Sequence, residues 1–437
     1  RSAGNLDAIR LLQRIEAEDR PATADEQSVL ARFTGFGATE LANACFRRPG
    51  EAWRPGWEEI GGALEELLSR EELAGLMRAT QYAHYTPEFL VRAVWRALGR
   101  LGFDGGTVLE PGCGTGLFLS LLPGELAPRT AFTGVENDPV TARVAGLLHP
   151  EAWIRAEDFT RAALRETYDL AVGNPPFSNR TVRADDPAGR LGLSLHDYFI
   201  ARSVERLRPG GLAAFVTSRF TLDKADARAR GHVAGLADLV GAFRLPEGAM
   251  RAAAGTDVVA DVLFFQRREA GSDGNGAEWA DLAEALHAEE GEAAVAVNRW
   301  FTDRPAAVLG RHARTSGPFG PTYTCVADDL SGLEQALAGA LETLPRGIHT
   351  RTEDGNGRGA VPSPAPACRV PVGTAAEGAE VKEGSYLLGG GGALSQVVDG
   401  VPRPVAVRSG KGTGGIPAKH AGVIRALIPV RDAVRRV

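Results

Sequence analysis

Between residues 81 and 268 short apolar runs alternate with helix-like segments, and this alternation restricts the fold more than any other feature of the chain. The candidate strands are 107–110, 131–136, 152–155, 168–173, 211–217, 239–245 and 258–266. Strands joined by helical crossovers run mainly parallel, because a parallel neighbour needs a long connection, and both faces of the sheet must then be covered. Seven such strands predict a doubly wound α/β domain over 81–268. Sheets of this kind hold ligands beyond the carboxyl ends of their strands, so the chemistry is sought where the strands stop.

On the amino-terminal side, residues 4–80 predict helices. Thr23 with Glu26 and Ser69 with Glu72 form capping-box pairs, and Ile9, Leu11, Leu12 and Ile15, then Val29, Leu30 and Phe33, recur near helical spacing. Gly35-Phe36-Gly37 reads as a turn between helices. On the other side, Gly271-Ser-Asp-Gly-Asn-Gly276 lies in an expected linker, 269–277, and 278–437 reads as an α+β carboxyl-terminal extension. Within that extension 351–367 is polar and rich in Gly and Pro, while Ser385–Val398 predicts a hairpin. Gly389–Gly392 is its turn and not a phosphate loop, since no Lys-Ser/Thr follows. Arg431–Val437 reads as the inside of a continuing amphipathic helix, so the chain is expected to be a fragment of something longer.

Composition removes several classes of function. The 437 residues are 44% hydrophobic and 24% charged, as in ordinary globular proteins. No run of eighteen apolar residues exists and the first residues lack the pattern of a signal peptide, so a cytoplasmic protein with no membrane partner is expected. Cys45, Cys113, Cys325 and Cys368 are far apart with no CxxC or Cys/His cluster, which points to free thiols and to no metal site. A net charge of −6 argues against coating nucleic acid by bulk electrostatics but leaves room for a local basic face. Arg180, Arg183 and Arg190 share one loop and are the candidates for it.

Glu110-Pro-Gly-Cys-Gly-Thr-Gly116 follows the first strand and opens a helix near Leu117. Its glycines permit positive φ and let the backbone approach a ligand closely. The spacing is GxGxG preceded by an acid, whereas a dinucleotide turn is GxGxxG. A carboxylate at Glu110 suits the ammonium of a methionine moiety and repels a pyrophosphate, which favours S-adenosylmethionine over NAD. Glu136 ends the next strand, where an acid can accept both ribose hydroxyls of either cofactor. Asp158 and Phe159 follow the third strand, suited to an adenine amine and an adenine ring. Thr86 and Pro87 read as N-cap and first residue of an apolar helix over 87–101, whose start can also meet the cofactor carboxylate. The candidate cofactor residues are therefore Tyr85, Thr86, Pro87, Glu110, Gly112, Cys113, Gly114, Gly116, Glu136, Asn137, Asp158, Phe159 and Asn174.

The fourth strand, Tyr168–Gly173, runs into Asn174-Pro175-Pro176-Phe177. An exocyclic amine is a poor nucleophile because its lone pair is delocalised into the ring. Two acceptors aimed at its N–H bonds, the Asn174 side-chain oxygen and the Pro175 carbonyl, favour a more tetrahedral nitrogen as it attacks. The prolines hold those acceptors rigidly, and Phe177 offers a ring to a flat substrate. The polar stretch Arg180–Ser194 reads either as a loop that closes over substrate or as a plain connection. Phe243 is read as a core residue before a second stacking ring.

With these residues, the chain resembles the N6-adenine DNA methyltransferases of the gamma arrangement over about 81–268. His196-Asp-Tyr-Phe199, Thr217-Ser-Arg219, Gly255-Thr-Asp257 and Val297-Asn-Arg-Trp300 narrow the resemblance to the methylase part of large bacterial and phage proteins of restriction, anti-restriction and phage defence. The resemblance implies a seven-stranded Rossmann-like methyltransferase sheet, S-adenosylmethionine as cofactor, DNA as substrate and a helicase-like region in the full-length protein. It implies Thr86 at the methionine carboxylate, Glu110 and the glycines at the amino-acid end, Glu136 at the ribose, Asp158 and Phe159 at adenine, and Asn174–Phe177 at the target base. His84 departs from the aromatic that relatives often carry. Related tetrapeptides act on glutamine side chains or on RNA, and a DNA-binding module inactive without its neighbour is a further alternative.

Overall fold

The computed structural model describes residues 2–37, 44–48, 50–79, 86–164, 167–251, 258–269, 271, 272, 274, 278–286, 294–317, 320–350, 386–388, 393–398, 401–408 and 416–434. His84, Tyr85, Gly255–Asp257, Cys368, the segment 351–367 and the glycines 389–392 lie outside the described residues. Two compact units are present: residues 1–161 with 167–361, and residues 162–166 with 362–437. The boundary falls inside 278–437, because residues up to 350 are bonded to the sheet of the first unit.

That sheet has seven strands: β1 Gly106–Pro111, β2 Thr130–Glu136, β3 Trp153–Ala156, β4 Tyr168–Gly173, β5 Leu207–Ser218, β6 Ala237–Arg244 and β7 Ala260–Arg267. Their order is β3-β2-β1-β4-β5-β7-β6. The first five run parallel, and β7 is antiparallel to both β5 and β6. The expected doubly wound sheet is thus present, with every predicted strand in it and a mixed rather than wholly parallel edge. β4 and the middle of β5 are buried residue for residue, as strands covered on both faces must be.

The amino-terminal helices, Ser2–Ala17, Ala24–Leu30, Glu58–Leu67 and Arg70–Ala79, pack on the helix that follows β2, Pro139–Leu148. Ile9, Leu12 and Ile15 are fully buried and share a core with Val140 and Val144. Burying each such side chain contributes about 1.5–3 kcal/mol. Both predicted capping boxes form: Glu26 N donates to Thr23 Oγ1 at 3.3 Å, and Glu72 N to Ser69 Oγ at 3.2 Å. Gly35 has φ 64°, and the Asn5 side chain donates to its carbonyl at 2.7 Å, fixing the expected turn.

Several described residues between 278 and 350 bond to the sheet and to the helix Glu88–Leu101. Trp300 Nε1 donates to Ala242 O at 3.0 Å, Leu309 N to Arg244 O at 2.9 Å, and His349 N to Leu101 O at 2.9 Å. In the second unit, Tyr386–Leu388 pairs antiparallel with Leu394–Val398, which is the predicted hairpin, and a helix covers Ala418–Val434. Among the described residues no helix is long and apolar enough to cross a membrane.

Candidate active site

The strand order reverses between β1 and β4, so their carboxyl ends diverge into the crevice where open α/β sheets hold ligands. β1 delivers Glu110, with Gly112–Gly116 as the turn into a helix, Leu117–Ser120. β2 delivers Glu136, and β4 delivers Asn174–Phe177. The glycine turn is fastened to β2: Gly112 N donates to Val135 O at 2.7 Å, and Gly114 N to Glu136 Oε2 at 3.0 Å. It also touches the tetrapeptide, since a methyl group on Gly112 would stand 3.6 Å from Pro176 Cδ. These side chains, spread over about sixty-five residues of sequence, come together at the carboxyl edge of three neighbouring strands.

Glu110 is buried, and its Oε2 has no hydrogen-bond partner among the described residues. Burial first, and then the nearby Glu136 charge, raises its pKa well above the ordinary carboxyl value. A buried carboxyl with an open acceptor is a socket for a cation, and that observation fits the ammonium end of a methionine moiety. Glu136 is half-buried; Asp138 N donates to its other oxygen at 2.8 Å, so the backbone fixes its orientation. Burial raises its pKa too. Asn137 is exposed beside it.

The helix predicted over 87–101 spans Glu88–Leu101, with Pro87 and not Thr86 as its N-cap. Thr86 was expected to cap the helix with its side chain, and it does not: its hydroxyl accepts from Asn174 Nδ2 at 3.0 Å instead. The tertiary bond displaces the local one. It orients the Asn174 amide, turning the oxygen to the opposite side from Thr86. Asn174, Pro176 and Phe177 are half-buried, and Pro175 is buried.

Asp158 is half-buried, with Oδ1 accepting from Thr160 N at 2.8 Å. Phe159 is only 2% exposed, and its ring centroid lies 4.7 Å from that of Phe199 and 4.9 Å from the Arg202 guanidinium carbon. It therefore forms the floor of the cleft more than an open face. Cys113 is buried with its sulfur against Gly134, so its backbone and not its thiol faces the turn. Burial raises the thiol pKa well above the ordinary range.

Arg180, Arg183 and Arg190 are exposed on the stretch after Phe177. That stretch is an ordered arm. Thr181 bridges Ser194, Val182 N donates to Leu193 O at 2.8 Å, and Tyr198 OH donates to Asp186 Oδ2 at 2.7 Å. His196 Nδ1 donates to Ser178 O at 3.0 Å and fixes the residue after the tetrapeptide. This supporting role of His196-Asp-Tyr-Phe199 is not readable from spacing, although the motif itself was visible. Phe243 is buried, edge-to-face with Phe264 at 6.3 Å, and so belongs to the core.

No family model matches the chain. It is 28% identical over 276 residues to "Defense against restriction protein B" of Escherichia phage P1, covering 62% of this chain and 10% of that protein. It is 34% identical over 124 residues to Type II methyltransferase M.CvrRI of Paramecium bursaria Chlorella virus XZ-6E, covering 28% of this chain and 30% of that protein. It is also 34% identical over 128 residues to Type II methyltransferase M.TthHB8I of Thermus thermophilus, covering 26% and 29%. The chain is a homologue of Type II methyltransferases and of a phage anti-restriction protein. It spans a tenth of the phage protein's length and about three-tenths of the two methyltransferases. Among solved structures it is similar to the M protein of type I restriction enzyme EcoKI, 18% identical, with 61% of each chain covered and a TM-score of 0.35. It is also similar to TrmN from Thermus thermophilus, 21% identical, with 41% and 48% covered and a TM-score of 0.31. The open buried oxygen of Glu110 beside the glycine turn and the similarity to Type II methyltransferases fit S-adenosylmethionine as cofactor.

Two glycines of the turn separate binding from folding. Gly114 has φ 56° and open space where a Cβ would stand, whereas a methyl on Gly116 would lie 2.8 Å from the His149 ring. Gly114→Ala is expected to weaken S-adenosylmethionine binding about tenfold or more while lowering stability by only about 1–2 kcal/mol of left-handed backbone strain. Gly116→Ala adds a steric clash to the same strain and is expected to lower the melting temperature further. Calorimetric titration with parallel thermal melts checks both.

A cation held at Glu110, as its open buried oxygen allows, would make ligand binding a proton-linked event. The raised pKa of Glu110 means the empty site favours the neutral carboxyl, and a cation beside it favours the ionised one. Affinity is expected to rise with pH until the free-state pKa is passed, with up to one proton released. Stability of the empty protein runs the other way: the contribution of neutral Glu110 is complete at low pH and is lost as pH rises through its folded pKa. Glu110→Gln is expected to flatten both profiles, measured by titration in buffers of different ionisation enthalpy.

Proposed function

We propose that this chain methylates the N6 amine of adenine in DNA, using S-adenosylmethionine, on a base extruded from the duplex. The observation carrying this reading is the meeting of Glu110, with its unpartnered buried oxygen, and Asn174-Pro-Pro-Phe177 at the β1/β4 reversal. When bound, the cofactor supplies an electrophilic sulfonium methyl. Glu110 and the glycine turn hold its amino-acid end, Glu136 its ribose, and Asp158 with Phe159 its base. Asn174 Oδ1 and the Pro175 carbonyl accept from the substrate amine and localise its lone pair; the proton then leaves to solvent after transfer. Phe177 stacks on the extruded base, and such stacking contributes about 1–3 kcal/mol, comparable to the cost of flipping. Arg180, Arg183 and Arg190 meet phosphates from the ordered arm beside the cleft. The homology to an anti-restriction protein and to Type II methyltransferases supports a restriction or anti-restriction setting. A helicase-like region of the full-length protein is the proposed partner, and the cytoplasm the proposed location.

Tritiated methyl transfer to unmethylated DNA, to RNA and to protein, with Asn174→Ala as control, tests the reading. Label in DNA that is recovered as N6-methyladenine supports it. Label in RNA or glutamine, or tight DNA binding without transfer, overturns it.

A further inference from the structure

The turn after β5 carries an exposed ring that no part of the proposed reaction uses. Phe220 is 42% exposed and begins the short helix Phe220–Asp223. Its mounting is rigid. The Arg219 guanidinium carbon stands 4.1 Å from the Phe220 ring centroid and 5.2 Å from that of Tyr323. Arg219 donates to Asp223 Oδ2 and to Thr322 Oγ1, each at 3.4 Å. Asp223 is tied in turn to buried Arg244, and Lys224 Nζ reaches Asp197 at 3.3 Å, on the helix that supports the tetrapeptide. A single exposed aromatic needs no explanation of its own, and what distinguishes this one is where the sheet puts it.

β5 is the parallel neighbour of β4, and Phe215 pairs with Gly173. Asn174–Phe177 leave the edge one to four residues past that pair, and Arg219–Phe220 leave it four to five residues past on the adjacent strand. Neighbouring strands lie about 4.8 Å apart, so both segments open onto the same crevice. Arg180 and Arg183, exposed a few residues after Phe177, suit a phosphate backbone.

We propose that Phe220, braced by Arg219, stacks on a nucleobase of the DNA neighbouring the extruded one; this rests on the DNA reading above. Every base has a π-face, so the contact adds affinity without requiring a particular sequence. The pair acts in holding substrate and takes no part in the transfer itself.

The test uses the full 437-residue chain, S-adenosylmethionine and a pool of unmethylated duplex DNA. Phe220→Ala is expected to raise KM for DNA by about 5–150-fold, the equivalent of one stacked base, with kcat at saturating DNA, cofactor affinity and melting temperature unchanged. Phe220→Trp restores the low KM and Phe220→Leu does not. In the Asn174→Ala background, where transfer is blocked, Phe220→Ala lowers DNA affinity by the same factor. A KM within twofold of the parent, or restoration by Leu as full as by Trp, overturns the proposal while leaving the methyltransferase reading intact. Absence of any transfer to DNA by the parent chain removes both.

Discussion

Arg244→Met is expected to destabilise the chain by about 3–5 kcal/mol, the usual result of removing one member of a buried ion cluster. Arg244 is wholly buried at the end of β6 and is held by two carboxylates. Its Nε and Nη2 each donate to Asp261 at 2.8 Å, and Nη2 also reaches Asp223 at 2.9 Å. The guanidinium lies 4.1 Å above the Phe301 ring, while Asn298 N donates to Asp223 Oδ1 at 2.9 Å. Methionine preserves much of the volume but leaves two buried carboxylates with only Arg219 nearby. The segment 295–303 is bonded through this cluster, so it is expected to loosen first. Denaturant unfolding measures the loss, and Arg311→Met, at an exposed ion pair with Asp328, is expected to leave the midpoint unchanged. A midpoint shift as small in Arg244→Met as in that control contradicts the assignment.

Asn174→Ala is expected to lower kcat for methyl transfer by about 10²–10³-fold, the usual loss when one polar group aimed at the reacting centre is removed. The side chain is half-buried and donates a neutral hydrogen bond to Thr86, so the fold is expected to tolerate its loss. Cofactor affinity is expected to change by about tenfold at most, since a single neutral hydrogen bond contributes about 0.5–1.5 kcal/mol. The separation of a large kcat effect from a small binding effect is the signature of a group acting on the amine. Single-turnover transfer with parallel cofactor titration checks it, and a variant retaining more than a tenth of the rate contradicts the role.

Much of this architecture was legible before any coordinates. All seven strands were marked by short apolar runs between helix-like segments, and the amino-terminal helices by apolar periodicity and two capping boxes, because these signals are local. What escaped depends on partners far along the chain. Thr86 has ordinary N-cap chemistry, and only a bond to a residue eighty-eight positions away removes it from that role. Phe159 looked like a free stacking ring until Phe199 and Arg202 closed on it. Arg244 read as one of many arginines, and nothing nearby in sequence tells that Asp223 and Asp261 hold it. Val297-Asn-Arg-Trp300 was visible as a motif. Its work is structural: Asn298 ties Leu222 and Trp279 together, and Trp300 reaches β6.

Asp138 caps the helix Pro139–Leu148 two residues after Glu136, and it sits so close to Gly75 that a methyl there would approach its oxygen to 2.8 Å. The acid proposed to hold the ribose is thereby braced from behind by the helix Arg70–Ala79, which lies outside every motif of the candidate site. A shortened version starting at residue 81 keeps every motif yet uncovers Val140 and Val144. Laboratory truncations guided by motif boundaries alone would saw through the wall on which half of the proposed cofactor cradle hangs.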